Sequence, residues 1–391
     1  MMDVVMIRYG ELFLKSEPVK RHFIRSLTRN IAKALQSEGL AHRFELHRGR
    51  ILIHGDDPEG IARVAGRIFG IVEVAVCHVT GTAISEIAEV AVGMAKTRLR
   101  EGVSFAVRAR RQGVPGITSQ EIGAGVGSAL SLAYPGSRVD LTHPEYEVFI
   151  EVRDFGALLY DSAIPAPGGL PWGTQGRALS LLSAGIDSPV ATWLMMKRGC
   201  EMVSLHIDGG SYAGSDVRTT AKRHHAMLST WCAGFPMDLM VVDAELFYGA
   251  ITRTGPARYR CVLCKRFMLG LGSAIAKDRH FEALVTGDNL GQVASQTLAN
   301  MATISDAATV PVLRPLLGFD KGEVVQIARK IGTFDTKQGD LGCRAVPRTP
   351  ATAAISSDIR LAEAAVGMEG LIDQAMERVT VIQALNGKIL P

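Results

Sequence analysis

The 391-residue chain has few aromatic residues, 6%, and six cysteines. That is too few cysteines for the disulfide scaffold of a small secreted domain. Long apolar runs are missing as well. The longest stretches without a charged side chain, Ile122–Ser137 and Asn289–Ser305, are broken by Gly, Ser, Asn, Gln or Thr and are too short and polar to span a bilayer. The start, MMDVVMIRYGE, sets Asp3 and Arg8 where a signal peptide needs its apolar core. No Walker A loop, GxxxxGK followed by Ser or Thr, occurs anywhere. With 47% hydrophobic and 21% charged residues, the composition is that of a globular chain and excludes disorder. These absences predict a cytoplasmic protein of two or three domains with no membrane partner. Each cysteine in it is core filler, metal ligand or reactive thiol.

Net charge is only +4, but it is unevenly spread. Residues 8–50 hold ten Lys/Arg against four Asp/Glu, and residues 96–111 hold six against one. Segments 51–95 and 112–173 come out at −4 and −5. Concentrated basic patches suit a polyanion, whose phosphates release counterions on contact. Solvated helix faces are the plain alternative.

Apolar spacing predicts a strand at Val4–Tyr9, a helix from Val19 to Leu40, and a strand pair over Phe44–His54 turning near Gly49. A helix at 58–69, a strand Ile71–His78 and a helix over 85–100 follow. The strand Ser104–Arg111 sets Phe105, Val107 and Ala109 on one face, with Arg108 and Arg110 on the other. Thr118-x-x-Glu121 reads as a capping box opening a Gly/Ala/Ser-rich helix, with strands Arg138–Thr142 and Glu147–Val152 after it. Such irregular mixing favours small α+β units. Ser162–Gly176, with three prolines, four glycines and no charge, contains a linker at 164–176. Beyond it, strands and helices alternate (178–182, 189–198, 201–208, 216–233, 238–243, 262–278, 282–286, 321–331), the pattern of a doubly wound parallel sheet.

The sharpest motif sits at the first strand–helix junction of that sheet, ALSLLSAGIDSPVATWLMMKRG, residues 178–199. An apolar strand runs into a turn of small residues, and Pro189 suits the first helical turn. Ser183, Ser188 and the amides of 184–188 at a helix N-terminus make a ready anion site. The loop resembles the SGGxDS pyrophosphate loop of the PP-loop ATP pyrophosphatases, which cut ATP between its α and β phosphates and leave AMP on the substrate. Ala184 replaces a usual glycine, a change that a negative φ tolerates. Farther on, LVTGDNLGQVASQTLA (284–299) follows a strand with a glycine turn and a run of amide and hydroxyl side chains. PVLRPLLGFDKGEVVQIARKIGTFD (311–335) places Asp320 as an N-cap.

Together with GGLPWGTQG (168–176) and VVMIRYGELFLKS, these segments resemble the tRNA 4-thiouridine synthetase family, ThiI. The resemblance implies an α/β architecture. A ferredoxin-like domain extends to about residue 57 and a THUMP RNA-binding domain over 58–163, carried by FAVRARRQG, TSQEIGAGVGSAL and VDLTHPEYEVFIEVRDFGALLY. A PP-loop domain fills 177–391. It also implies ATP contacts at Leu181, Leu182, Ser183, Gly185, Ser188, His206, Ile207, Lys265, Gly287 and Gln296. Asp187 would position Mg²⁺ or the reacting phosphate, and Lys265 would stabilise charge at the α-phosphate. For His206 the bland reading is a satisfied buried histidine. The implied partners are tRNA, bound by shape and backbone with uridine 8 as target, a sulfur donor (sulfide or a cysteine desulfurase) and a second copy in a homodimer. A 2-thiouridine synthetase and a non-catalytic tRNA-binding protein are the alternative functions.

Cys261 and Cys264 form C-x-x-C in RYRCVLCKRFM, and Cys343 stands alone in DLGCRAVPRTP. Family members with a rhodanese-like C-terminal domain carry sulfur as a persulfide there and free it with a cysteine at the Cys343 position. This chain ends at Pro391, so the resemblance predicts another route. Cys261, Cys264 and Cys343 would hold a 4Fe–4S cluster with one iron lacking a protein ligand. A persulfide relay among the three, a zinc site completed by His280 or water, and inert core thiols are the alternatives. Cys77, Cys200 and Cys232, each alone in an apolar stretch, read as core filler.

Overall fold

The computed structural model describes residues 3–10, 16–335 and 339–391, so residues 11–15 of the N-terminal motif lie outside the described residues. The chain forms two compact units.

The first unit is built on strands β1 (Asp3–Tyr9), β2 (Arg43–His47), β3 (Arg50–His54), β4 (Ile71–Thr80), β5 (Ser104–Arg111), β6 (Arg138–Val139), β7 (Tyr146–Arg153), β8 (Gly156–Tyr160) and β9 (Ile164–Pro165). They form one sheet in the order β2-β3-β1-β4-β8-β7-β5-β6, with β9 added on β4. The sheet is mixed: β5 runs parallel to β6 and β7, and the other pairings are antiparallel. Helices α1 (Glu17–Ser37), α2 (Pro58–Ala65), α3 (Ile84–Ala95) and α4 (Ser119–Ala133) accompany it, although α1 up to Ala34 clusters with the second unit. Thr118 and Glu121 form the expected capping box on α4. Ile87, Val90, Ile122, Val126 and Leu130 from α3 and α4 bury against Phe105, Val148 and Ile150, so β5 points its apolar face inward as its alternation requires. The strand predicted over Arg138–Thr142 stops at Val139. There the Asp140 carboxylate takes the amides of Thr142 and His143, both at 2.9 Å, and turns the chain.

The second unit alternates β10 (Arg177–Leu181), α5 (Asp187–Lys197), β11 (Glu201–Asp208), α6 (Val217–Ser229), β12 (Met237–Asp243), α7 (Glu245–Arg253), α8 (Arg260–Arg279), β13 (Ala283–Val285), α9 (Leu298–Ser305), β14 (Val312–Leu313) and α10 (Lys321–Lys330). It ends with α11 (Ser356–Val366), α12 (Met368–Met376), β15 (Val379–Leu385) and β16 (Lys388–Ile389). The sheet order is β14-β13-β10-β11-β12-β15-β16. The first five strands are parallel, and β15 and β16 close that edge antiparallel. Neighbouring strand residues feed two cores. Leu179, Val203, Leu205, Met240 and Val242 pack under α7, α8, α11 and α12, whereas Ala178, Met202, Leu239 and Val241 pack under α5, α6 and α10. Burial on both faces is why these strands read as continuous apolar runs. The connections leave β10 toward β11 on one side and β13 toward β14 on the other. The crevice beyond the carboxyl ends of β10 and β13 is therefore where a ligand lies in such a sheet.

Candidate active site

Two segments meet at that crevice. After β10, Ser183–Ser188 turns into α5 through a closed net of hydroxyls. Ser188 Oγ accepts the Ser183 amide at 2.8 Å and lies 3.0 Å from Ser183 Oγ, which accepts the Gly185 amide at 3.2 Å. Ile186 precedes the helix and no side chain caps it, so leading amides of α5 are left for an anion. Ala184 has no positive φ, as its place in the loop requires. After β13, Gly287 lies against the same helix start. A Cβ there would stand 2.6 Å from the Ser188 amide nitrogen, a contact only glycine permits.

A cavity of about 290 Å³ opens beside this loop. Leu181, Leu182, Ser183, Gly185, His206 and Ile207 line it, with Cys343, Tyr248 and Ala213 across from them. His206 donates from Nδ1 to the Leu182 carbonyl at 3.0 Å, and its Nε2 is a buried acceptor with no partner among the described residues. Burial pushes its pKa below the ordinary value, so the ring is neutral at pH 7.

Lys265, Gly287 and Gln296 do not line this cavity. Lys265 and Gln296 gather instead on Asp288, a residue the sequence reading passed over. The Asp288 carboxylate accepts from Lys265 Nζ at 2.5 Å, Thr286 Oγ1 at 2.8 Å, Arg314 Nε at 3.3 Å and Gln296 Nε2 at 3.5 Å. Burial alone would raise its pKa, but Lys265, Thr286 and Arg314 outweigh that and hold it below the usual carboxylate range. Lys321 was missed too: its ammonium lies 2.6 Å from Asp187 Oδ1. It follows Asp320, which caps α10 in a capping box with Glu323 as expected. That cap was the legible signal, since it fixes the position of the next residue.

Cys261 and Cys264 lie one turn apart near the start of α8, and Cys343 pairs with Ala213 in an isolated antiparallel bridge. Burial, with a smaller contribution from Cys343, raises the pKa of the Cys261 and Cys264 thiols, and Tyr248 Oη lies 3.3 Å from Cys264 Sγ. Among the described residues, no three His, Cys, Asp or Glu side chains are gathered closely enough to hold a metal ion. The zinc alternative through His280 fails on distance: His280 caps the far end of α8 in a left-handed conformation, sixteen residues and about 24 Å of helix beyond Cys264. Cys77, Cys200 and Cys232 are buried, with burial pushing each thiol pKa upward.

Comparison with known proteins places the chain in a family. A family model described as "Thiamine biosynthesis protein (ThiI)" matches residues 173–368, the ThiI ferredoxin-like domain matches 4–75 and the THUMP domain 81–161. The "Probable tRNA sulfurtransferase" of Methanothermobacter thermautotrophicus is 38% identical over 358 residues, 90% of each chain. The chain belongs to the ThiI family of tRNA sulfurtransferases. A second relative of that name, from Methanobrevibacter smithii, is 36% identical over 96% of this chain and 99% of its own. Among solved structures, "a 4-thiouridine synthetase - RNA complex with bound ATP" covers 98% of this chain and 100% of its own at TM-score 0.86 and 28% identity. The ThiI-type fold expected from the motifs is therefore present, PP-loop domain included.

Proposed function

We propose that the chain adenylates a tRNA uridine at O4, with position 8 as the target, and replaces that oxygen with sulfur to give 4-thiouridine. One observation carries this reading: an anion-binding loop and an exposed thiol, Cys343, line the same cavity at the crevice of the sheet. The structural relative bound to RNA and ATP, and the relatives named tRNA sulfurtransferase, support it.

The loop Ser183–Ser188 and the α5 amides hold the pyrophosphate end of ATP. The neutral His206 offers Nε2 as an acceptor to the nucleotide base. Asp187 would hold Mg²⁺, while Lys321 beside it and Lys265 stabilise charge at the α-phosphate. The uridine leaves its stack to reach this site. Its O4 forms a bond to the α-phosphorus, the bond to pyrophosphate breaks, and the N3 proton is lost. Sulfide then adds at C4, the C4–O4 bond breaks, and AMP departs with the former O4. The basic segments 8–50 and 96–111 in the first half of the chain suit docking by the tRNA backbone.

The thiols Cys261, Cys264 and Cys343 match a three-cysteine cluster in donor chemistry but are not gathered closely enough in this structure to hold one. The domain limits 1–57, 58–163 and 177–391, the cytoplasmic location and the homodimer form part of the same reading.

The test separates the two half-reactions. Asp187→Ala abolishes AMP release with tRNA present, and normal turnover by that variant refutes its role. Cys343→Ala keeps AMP release and loses thiolation. Loss of both assigns Cys343 a structural part only.

A further inference from the structure

Cys343 is held in place by a segment far from it in sequence. Residues 340–344 lie edge to edge with residues 212–216. The Gly214 amide donates to the Gly342 carbonyl at 2.8 Å, the Arg344 amide to the Tyr212 carbonyl at 2.9 Å, and the Asp216 amide to the Asp340 carbonyl at 3.3 Å. Ala213 and Cys343 face each other at the centre of this clip.

Two side-chain facts mark it as built for closeness. Asp216 stands at the start of α6, where an aspartate ordinarily caps its own helix. It makes no such cap: its Oδ2 accepts the Asp340 amide at 2.9 Å instead. Gly214 is buried and lacks the positive φ that would otherwise account for a glycine. A Cβ there would lie 2.1 Å from the Asp340 carbonyl oxygen, so the close approach itself excludes a side chain. The two halves of the clip are also walls of the nucleotide cavity, through Ala213 on one side and Leu341, Gly342 and Cys343 on the other. His206 and Ile207, at the end of β11, lie only a few residues before this stretch and line the same cavity.

We propose that Asp216 and Gly214 are positioning residues for Cys343. They dock its loop on the chain after β11, so that the thiol stands over the nucleotide cavity and nucleotide occupancy shields it. The inference rests on the reading that this cavity takes ATP and that Cys343 serves sulfur transfer. It adds the two residues that put the thiol there.

The experiment uses the full chain and follows iodoacetamide labelling of Cys343 by peptide mass spectrometry, with and without Mg-ATP. AMP and thiolated nucleoside formed from unmodified tRNA are measured in parallel. In the unsubstituted protein Mg-ATP slows labelling. Asp216→Ala, which removes a hydrogen bond to a charged acceptor, and Gly214→Ala, whose Cβ would meet the Asp340 carbonyl, undock the loop and label about tenfold faster without nucleotide. They lose the ATP protection, and their thiolation per AMP released drops by a similar factor. Asp216→Asn, whose amide oxygen still accepts the Asp340 N–H, stays within about twofold of the unsubstituted protein. Unchanged labelling in both variants overturns the proposal. So does a proportional fall of AMP release and thiolation with a lowered melting temperature, which marks a general structural role. If the unsubstituted protein releases no AMP, the adenylation reading fails, and the labelling rates alone decide for or against the clip.

Discussion

Lys321 Nζ and Asp187 Oδ1 lie 134 residues apart in the chain and 2.6 Å apart in space, at the start of α5 beside the loop proposed to receive the phosphates. Their side chains are 50% and 26% exposed, so the pair contributes little to stability, at most about 1 kcal/mol. Lys321→Ala therefore leaves the melting temperature within a degree or two. A positive charge aimed at developing phosphate charge is worth on the order of 10²–10³ in rate, so AMP release falls by roughly that factor. Initial rates with tRNA and Mg-ATP check it, and equal loss of folding and rate would contradict it.

Asp288 behaves differently because it is buried among two cations, Lys265 and Arg314. Removing the carboxylate leaves the Lys265 and Arg314 side chains, only 25% and 12% exposed, without their counter-ion. Asp288→Ala is expected to cost about 3–5 kcal/mol of folding stability, the range for breaking a buried ion pair. Asp288→Asn costs less, since its amide oxygen still accepts from Lys265. Urea unfolding midpoints of the two variants measure the difference.

The acid response follows from His225. Its ring is fully buried: Nε2 donates to the Met237 carbonyl at 3.0 Å, so in the neutral ring Nδ1 accepts from the Ser204 hydroxyl at 3.1 Å. Burial pushes its pKa down to about 4. The folded form thus binds fewer protons than the unfolded form between about pH 6.5 and 4, and stability falls as pH falls through that window. His206 and His224 shift the same way. From pH 7.5 to pH 5 the chain loses about 2 kcal/mol through His225 alone. Urea titrations at the two pH values report it, and His225→Gln flattens the dependence.

The thiols are expected to react in a fixed order. Cys343 is exposed, Cys261 is half-buried with its pKa raised by burial, and burial pushes the Cys264 thiol up to about 12. Since the thiolate is the reactive form, iodoacetamide at pH 7.5 labels Cys343 first, Cys261 more slowly, and Cys264, Cys77, Cys200 and Cys232 last. Peptide mass spectrometry over a time course gives the order directly.

The legible parts were those governed by local rules. The run 178–199 announced strand, anion loop and helix because each step has a short-range signature, and Asp320 and Thr118 announced helix starts by their capping spacing. Gly287 read as a nucleotide contact by resemblance, but the structure gives a steric reason that no sequence pattern carries: the Ser188 amide lies where its Cβ would be. Asp288, Arg314 and Lys321 were not legible, because each matters through a partner at least 23 residues away. The antiparallel edge of β15 and β16 was missed for a similar reason. β15 is half-exposed beside the mostly buried central strands β10–β13, and its place depends on pairing with the distant β12.

The most direct test of the account is the identity of the nucleoside it makes. Anaerobically purified protein is incubated with unmodified tRNA, Mg-ATP and sulfide, and the digested tRNA is analysed by mass spectrometry. The account predicts 4-thiouridine, formed with one AMP per thiolation and absent with Asp187→Ala. A 2-thiouridine product, or tRNA left unmodified with no AMP released, would contradict it.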